Sequence, residues 1–413
     1  MSDFPEDMAK MVWDVVHGTS VIDVRCFISP PEAAASHATG VDALLSSKSI
    51  LKEFFLRRSL AERAAQRGEE NLSSLSQGEI ADLVWRRLFL EQSPLSETTR
   101  VVLTTLGLFG MAVDKRDLNL FRDEFAAMSA AQRLERAFAI AKVEYVLYPV
   151  DSLAINENAM KTSHNPRFKP VLSLDAMLGD WKESARHMRG LGFGVKGKVD
   201  EFAPLELRRF LSEQVNRLNP VAISYDWPGM MAPDSNRGGA RLIQEAVLPL
   251  CAERGLAFCV AGANIVGEAC EDEPEQPLDI PELAVLWRQH PDVNFLFFPA
   301  GGNQLSAACR EASRYGNLLL CGPDASLANP TALARFTRER LESCGSVFHA
   351  CHSGAETVEE LAGKWAHLRW TVGETLRDRY AELWRTGWRF TKEDVVADAR
   401  AILGGNAKTF LGL

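Results

Sequence analysis

Hydrophobic runs of strand length alternate with amphipathic stretches of helix length over most of the chain. The first run, Val21–Ile28, is rich in β-branched and aromatic residues and is followed by Pro30 and Pro31, a pattern that predicts a strand and its end. Further strands are predicted at Val143–Val150, Lys169–Leu174, Gly192–Val199, Val221–Asp226, Ala257–Ala261, Val293–Pro299, Asn317–Cys321 and Ser346–Cys351. Helical stretches separate most of these runs, and this repetition indicates a parallel sheet.

The long interval between the first two predicted strands has a helical pattern instead. Ser76–Glu79 has the pattern of a capping box, a second box begins at Ser129, and one helix face carries Ile80, Leu83, Val84 and Leu88. The sequence therefore predicts three regions. Residues 1–39 hold the first barrel strand, residues 40–142 form a helical insertion, and residues 143–413 complete the barrel and end in helices.

Together with the first run, these segments make nine candidates for the eight strand positions of a closed barrel. One of them is therefore surplus or misassigned. Lys169–Leu174 is the weakest, because little helix separates it from the strand before it. The long alternation favours a closed barrel over an open sheet. We predict an α/β fold, a distorted (β/α)8 TIM barrel with a helical insertion after the first strand and a C-terminal helical tail.

Composition and charge exclude several classes of protein. Of the 413 residues, 46% are hydrophobic and 24% charged, as in ordinary globular proteins. The formal charge of −9 without a basic block argues against nucleic-acid binding. The apolar run Val101–Val113 is too short to cross a bilayer. The acidic N-terminus lacks a signal-peptide core, and the eight cysteines lack metal-binding spacing. Both features favour a cytoplasmic protein.

The glycines at Gly192–Gly197 formally match a dinucleotide-binding motif. Such glycines should follow a strand and open a helix, whereas these lie in a predicted strand that follows a helix. We therefore predict no nucleotide cofactor.

Short motifs near the C-terminus are the most specific features of the chain. They are KWAHLR at 364–369, DRYAEL at 378–383, TGW at 386–388 and GGN at 404–406, with weaker matches at 40–45, 303–304, 315–317 and 329–330. These segments resemble the uronate (glucuronate) isomerase branch of the amidohydrolase superfamily. The similarity covers nearly the whole chain. It implies a distorted barrel with a helical insertion after the first strand and, if the protein is active, an isomerase or hydrolase.

Two departures from that family affect its metal site. The resemblance implies a His-x-His motif at the end of the first strand, but this chain has Arg25-Cys26-Phe27 there. It also implies a His-Ser-Asp-Ala-Arg motif at the end of the last strand, but this chain has His352-Ser353-Gly354-Ala355-Glu356. Phe27 and Gly354 offer no donor side chain, and Arg25 brings a fixed positive charge that repels a divalent ion. We predict that the metal site is absent and that no cofactor is bound.

The polar residues that remain near the strand ends could bind a small anion. Arg25 is predicted to hold a carboxylate bidentately, and His352 and Asp226 are the candidate catalytic residues for proton transfer. Further candidate substrate-binding residues are Lys196, Asn264, Asn303, Asp324 and Glu356. In the alternative interpretation, Arg25 only forms a structural ion pair with Asp226 or Asp324, Lys196 is merely solvated, and His352 has only local hydrogen bonds.

Three functions compete. The preferred hypothesis is a non-catalytic binding or scaffold protein that forms a homo-oligomer or pairs with an active paralogue. The second is a metal-independent isomerase, lyase or hydrolase that acts on a sugar acid or another small carboxylate. The third is a metal-dependent uronate isomerase or hydrolase with relocated ligands. Fold alone does not choose among them, because function resides in the site.

Overall fold

The strands of the protein form one parallel sheet that curls into a TIM-barrel-like α/β fold. The computed structural model describes residues 4–28, 30, 40–65, 72–155, 165–227, 236–262, 280–323 and 328–413. The sheet is seven-stranded and its strands follow chain order. They are β1 (Val21–Asp23), β2 (Val143–Asp151), β3 (Phe168–Ser173), β4 (Ala222–Trp227), β5 (Ala257–Gly262), β6 (Phe295–Phe298) and β7 (Leu318–Leu320).

The space between the edge strands β7 and β1 is bridged by residues 346–355, here called the closing segment. Within it, the His349 amide donates to the Leu320 carbonyl oxygen of β7 at 2.8 Å, and the Gly354 amide donates to the Arg25 carbonyl oxygen just after β1 at 3.1 Å. The predicted strand Ser346–Cys351 is therefore wrong as a regular strand, although its backbone occupies the eighth position. Three more of its backbone groups bind C-terminal residues instead of a strand ladder: the Ala350 amide donates to Ile402 O, and Asn406 Nδ2 donates to Ser346 O and Phe348 O.

The surplus strand candidate is Gly192–Val199, which forms an irregular connection. Gly192 has a φ of +92°, and side chains of the preceding helix bind the carbonyls of this stretch. Arg189 donates to Val195 O and Trp181 donates to Lys196 O, both at 3.1 Å. These contacts replace a strand ladder. The weakest candidate, Lys169–Leu174, is by contrast largely β3 and pairs with both β2 and β4.

Helices surround the sheet and fill the interval between β1 and β2. Their bounds are α1 (Glu6–Gly18), α2 (Val41–Leu45), α3 (Lys48–Ala65), α4 (Gln77–Trp85), α5 (Glu97–Leu108), α6 (Leu118–Ala126), α7 (Ala130–Ala141), α8 (Asp175–Gly179), α9 (Trp181–Gly190), α10 (Ala203–Leu218), α11 (Asn236–Leu242), α12 (Leu248–Arg254), α13 (Ile280–Gln289), α14 (Gly302–Ala312), α15 (Pro330–Cys344), α16 (Glu360–Arg385), α17 (Lys392–Arg400) and α18 (Asn406–Leu411). The predicted capping boxes at Ser76 and Ser129 are confirmed. None of the described helices is both long and apolar enough to cross a membrane.

Three apolar clusters hold these layers together. Helices α2–α7 share a core around Phe54, Trp85 and Phe121. A second core lies between the sheet and the barrel helices. The third fills the barrel interior, where side chains from alternate strand positions meet Ala407 and Leu411 of α18. Helix α18 therefore closes the N-terminal end of the barrel, and the opposite, C-terminal end forms the mouth where barrel enzymes carry their sites.

Candidate functional site

An ion pair crosses the mouth of the barrel. Asp226 lies near the end of β4 on the same face as Ala222, which belongs to the interior cluster. The Arg25 Nη1 and Nη2 atoms, just after β1, donate to Asp226 Oδ1 and Oδ2 at 3.0 and 2.8 Å. The Arg25 side chain is 16% exposed and that of Asp226 is 39% exposed. This bidentate geometry is the strongest form of an arginine–carboxylate contact, so both side chains are held in place.

Aromatic rings flank this ion pair. The guanidinium carbon of Arg25 lies 5.7 Å from the centroid of the Phe27 ring and 5.5 Å from that of Phe298. The imidazole of His352 packs against Phe298 with 5.5 Å between ring centroids, and His352 is fully buried. The rings limit water access to the guanidinium and strengthen its interaction with the carboxylate.

Asp175 extends the polar cluster towards β3. Its Oδ1 atom accepts a hydrogen bond from the Asp226 amide at 2.7 Å, and its Oδ2 atom accepts one from the Ser173 hydroxyl at 2.7 Å. Burial and, secondarily, the charge of Asp226 raise the pKa of Asp175. Sequence reasoning missed this residue. The available signal was an aspartate directly after a strand, but that strand was the weakest candidate.

Asp23 ties the base of the mouth together and was given no role from sequence. This fully buried carboxylate accepts hydrogen bonds from Trp365 Nε1 of α16 at 3.0 Å and from the Ser353 amide of the closing segment at 3.1 Å. Both of its oxygens are therefore engaged by neutral donors. The contacts join β1, the closing segment and the longest C-terminal helix, so Asp23 positions the chain on either side of Arg25.

The remaining predicted site residues do not join this cluster in any described contact. Lys196 lies in the irregular connection, is 73% exposed and binds Asp200 at 2.8 Å, so the prediction that placed it on a strand is wrong. Glu356 accepts a hydrogen bond from the Lys48 amide at the start of α3 at 2.9 Å. Asn303 is exposed in the first turn of α14. Asn264 and Asp324 lie outside the described residues.

Two histidines of the closing segment are fully buried. Burial, reinforced by His352 and by the positive charge of Arg340, lowers the pKa of His349 to about 3. His349 is therefore neutral at physiological pH. Within the part of the chain that the structure describes, no group of three or more His, Cys, Asp or Glu side chains could hold a metal ion.

Comparisons with known proteins support the fold. No protein-family model and no curated protein matches the sequence. A uronate isomerase from Bacillus halodurans C-125 superposes with a TM-score of 0.88 at 26% identity, over 100% of this chain and 98% of that one. The protein has a uronate-isomerase-like fold of the amidohydrolase type.

Two more distant structures share the architecture. A uronate isomerase from Thermotoga maritima matches with a TM-score of 0.73 over 100% of this chain and 98% of that one. A glucuronate isomerase from Caulobacter crescentus matches with a TM-score of 0.72 over 99% and 95%. Both are 12% identical to this chain, so they support the fold alone. The predicted TIM-barrel fold and its likeness to the fold of uronate isomerases are confirmed.

Proposed function

We propose that this chain is a uronate-isomerase-like barrel that has lost metal-dependent catalysis and acts as a non-catalytic binding or scaffold protein. The observation that supports this proposal is the bidentate Arg25–Asp226 pair across the mouth. Arg25 stands where the family resemblance implies a metal-binding histidine. Its guanidinium stays charged at every physiological pH, and its charge repels a divalent cation.

The carboxylates around the mouth fit a divalent ion poorly. Both oxygens of Asp226 bind Arg25, and both oxygens of Asp23 bind donors of the protein. A metal ion would have to break these contacts and then remain close to a guanidinium, at a large Coulombic cost in a partly buried site. The described residues therefore favour a mouth held together by an internal ion pair.

The bound partner in this proposal is a small carboxylate, a second copy of the chain or an active paralogue. A carboxylate ligand would exchange with Asp226 on the guanidinium, since Arg25 offers a planar pair of donors that suits either carboxylate. Asp226 is 39% exposed and could turn towards solvent when displaced. This exchange requires little rearrangement of the barrel.

Elemental analysis combined with an activity assay tests the loss of metal-dependent catalysis. The protein, produced in medium supplemented with zinc, iron and manganese, should retain far less than one equivalent of any of them. It should also leave D-glucuronate and D-galacturonate unchanged when these metals are added. The uronate isomerase from Bacillus halodurans, assayed in parallel, is the positive control. One tightly bound equivalent together with turnover would overturn the proposal in favour of a metal-dependent enzyme with relocated ligands.

A metal-independent enzyme is the second candidate, and Asp175 favours it. The raised pKa of Asp175 means that its carboxyl holds a proton more readily than usual. The hydrogen bond that it accepts from the Asp226 amide places it beside a second carboxylate, that of Asp226. Such a pair suits general acid–base work on a sugar acid anchored by Arg25. This geometry favours Asp175 with Asp226 over the buried His352.

A chelator experiment separates this candidate from the first. If the enzyme hypothesis holds, a panel of hexuronates and aldonates in excess EDTA contains a substrate that is consumed. Asp175→Asn should then lower kcat at least a hundredfold, the usual size of a general acid–base contribution. Glu183→Gln, an exposed change on α9, is the control and should leave kcat unchanged. Absence of turnover across the panel removes this candidate and leaves the binding protein.

A further inference from the structure

The N-terminal end of the barrel contains a cavity far from the mouth. It has a volume of about 550 Å³ and lies where β2 and β3 begin. Tyr145 and Lys169 line it from the strands, Arg167 lies just before β3, and Lys408 reaches it from α18. The other described lining residues are Glu144, Pro166 and Leu413, the last residue of the printed sequence. Among the described lining side chains, the cationic ones therefore outnumber the acidic one.

Two polar groups of this cavity have unmet binding capacity. Tyr145 is only 6% exposed, yet its hydroxyl has no hydrogen-bond partner among the described residues. Burial raises the pKa of Tyr145, so the hydroxyl remains a proton donor at neutral pH. The Lys169 ammonium lies 5.6 Å from the centroid of the Tyr145 ring and, within the described chain, forms no ion pair. A buried hydroxyl without a partner is rare in folded proteins and calls for an unseen partner.

The other two cations of the cavity are already neutralised. Lys408 gives its ammonium to both oxygens of Glu144 at 2.9 and 2.8 Å. Arg167 binds Glu135 at 3.0 Å. Among the lining side chains, this pairing leaves the positive charge of Lys169 unmatched, and its ammonium lies 5.6 Å from the centre of the ring that carries the unpartnered Tyr145 hydroxyl. An ammonium and a hydroxyl at one cavity, both without an acceptor, are the complement of a group with anionic oxygens.

We propose that this cavity binds a small anion, a carboxylate or a phosphate, whose oxygens accept hydrogen bonds from the Lys169 ammonium and the Tyr145 hydroxyl. The site lies at the opposite end of the barrel from Arg25 and does not depend on the function proposed for the mouth. It also explains why a lysine and a tyrosine point into the barrel beneath an otherwise apolar interior. The ligand is recognised by its charge and oxygens, and the cavity volume accommodates a small organic acid or a phosphate ester.

Calorimetric titration of the full chain with inorganic phosphate and, separately, with acetate tests this site at constant ionic strength. The titration is done in Arg25→Met, which lacks the guanidinium proposed to bind a carboxylate at the mouth, and at least one of the two anions should bind this chain saturably with one site. Lys169→Gln should weaken that binding at least tenfold, and Tyr145→Phe should weaken it about three- to tenfold, the sizes expected for a charged and a neutral donor. Saturation by only one anion identifies the oxygen chemistry that the cavity prefers and still supports the site.

One control variant locates the binding. Lys115→Gln, an exposed change away from the cavity, should leave the affinity unchanged. Tyr145→Phe deletes only one oxygen atom, so it keeps the test decisive if Lys169→Gln fails to fold. The proposal is overturned if neither anion saturates, or if binding persists unchanged in both Lys169→Gln and Tyr145→Phe.

Discussion

At the mouth of the barrel Arg25 gives both of its terminal nitrogens to Asp226, whereas at the opposite end Lys169 has no carboxylate partner among the described residues. Both are cations carried at a barrel end beside aromatic rings. They differ in the carboxylates around them. Asp175 and Asp226 lie at the mouth, whereas at the opposite end the carboxylate of Glu144 is bound by Lys408. The presence of a cation therefore does not by itself predict an anion-binding site. What matters is whether the fold places a carboxylate of the protein within reach of that cation.

The largest expected effect concerns Asp23, the deepest carboxylate at the mouth end. Asp23→Ala should lower the free energy of unfolding by about 3–5 kcal/mol, because it removes a buried charge-bearing acceptor and leaves two buried donors, Trp365 Nε1 and the Ser353 amide, unsatisfied. Urea denaturation at neutral pH measures the change. Asp23→Asn keeps one acceptor oxygen and should lose less. A loss below about 1 kcal/mol for Asp23→Ala would mean that the mouth is not held together by these bonds.

The ion pair itself should give the next largest effect. Arg25→Met and Asp226→Leu should each destabilise the protein by about 1–2 kcal/mol, since each strands the charge of its partner, although the exposure of Asp226 softens the cost. The double variant should lose less than the sum of the two. A double-mutant cycle by urea denaturation measures this coupling, which should be about 1 kcal/mol or more. Simple additivity would show that the pair is too weak to occupy the mouth.

The sequence predicted the architecture well because local signals and tertiary structure agree over most of the chain. The alternating runs, the helical interval after β1 and the capping boxes at Ser76 and Ser129 are local patterns that the fold uses directly. The two strand errors have a different origin. Gly192–Val199 is held by side chains of α9, and the closing segment is held by Asn406 and Ile402. These bonds come from side chains of the preceding helix or from residues far along the chain, as Asn406 is from Ser346, and the alternation of hydrophobic and polar positions does not reveal them.

Prediction of the candidate site was limited by the same cause. Residue types identified Arg25 and Asp226, and the pairing of these two was one of the alternatives open from sequence. The sequence does not show that Asp226 binds both terminal nitrogens of Arg25, because this contact depends on a distance across the barrel, from the end of β1 to β4. Asp175 was missed because its role comes from the backbone amide of Asp226, a group present at every residue and therefore invisible in sequence.

A pH dependence of stability should arise in the closing segment, which spans the barrel wall between β7 and β1. The pKa of His349 is about 3 in the folded protein against an ordinary value of 6.5, so only the unfolded chain takes up this proton between those pH values. As far as this histidine is concerned, the free energy of unfolding is therefore highest above about pH 6.5 and falls as the pH decreases towards 3. From pH 7 to 5.5 this histidine should contribute a loss of about 1 kcal/mol.

Urea denaturation at these two pH values, in the original protein and in His349→Gln, isolates that contribution. The variant should lose about 1 kcal/mol less on acidification, whatever its stability at neutral pH. His187→Gln, on the exposed face of α9, is the matched histidine substitution measured alongside. Equal pH dependence in the original protein and in His349→Gln would mean that the imidazole gains water or a proton in the folded state.

The smallest expected effect is at the N-terminal end, and it completes the comparison. Lys169→Met removes the charge but keeps a flexible apolar stem against the Tyr145 ring. Because no ion pair is lost, stability without added anion should change by no more than about 0.5 kcal/mol. Arg25→Met, the same replacement at the mouth, should cost clearly more in the same urea experiment. If the two substitutions cost the same, the two ends of the barrel do not differ in the way that the ion pairs indicate.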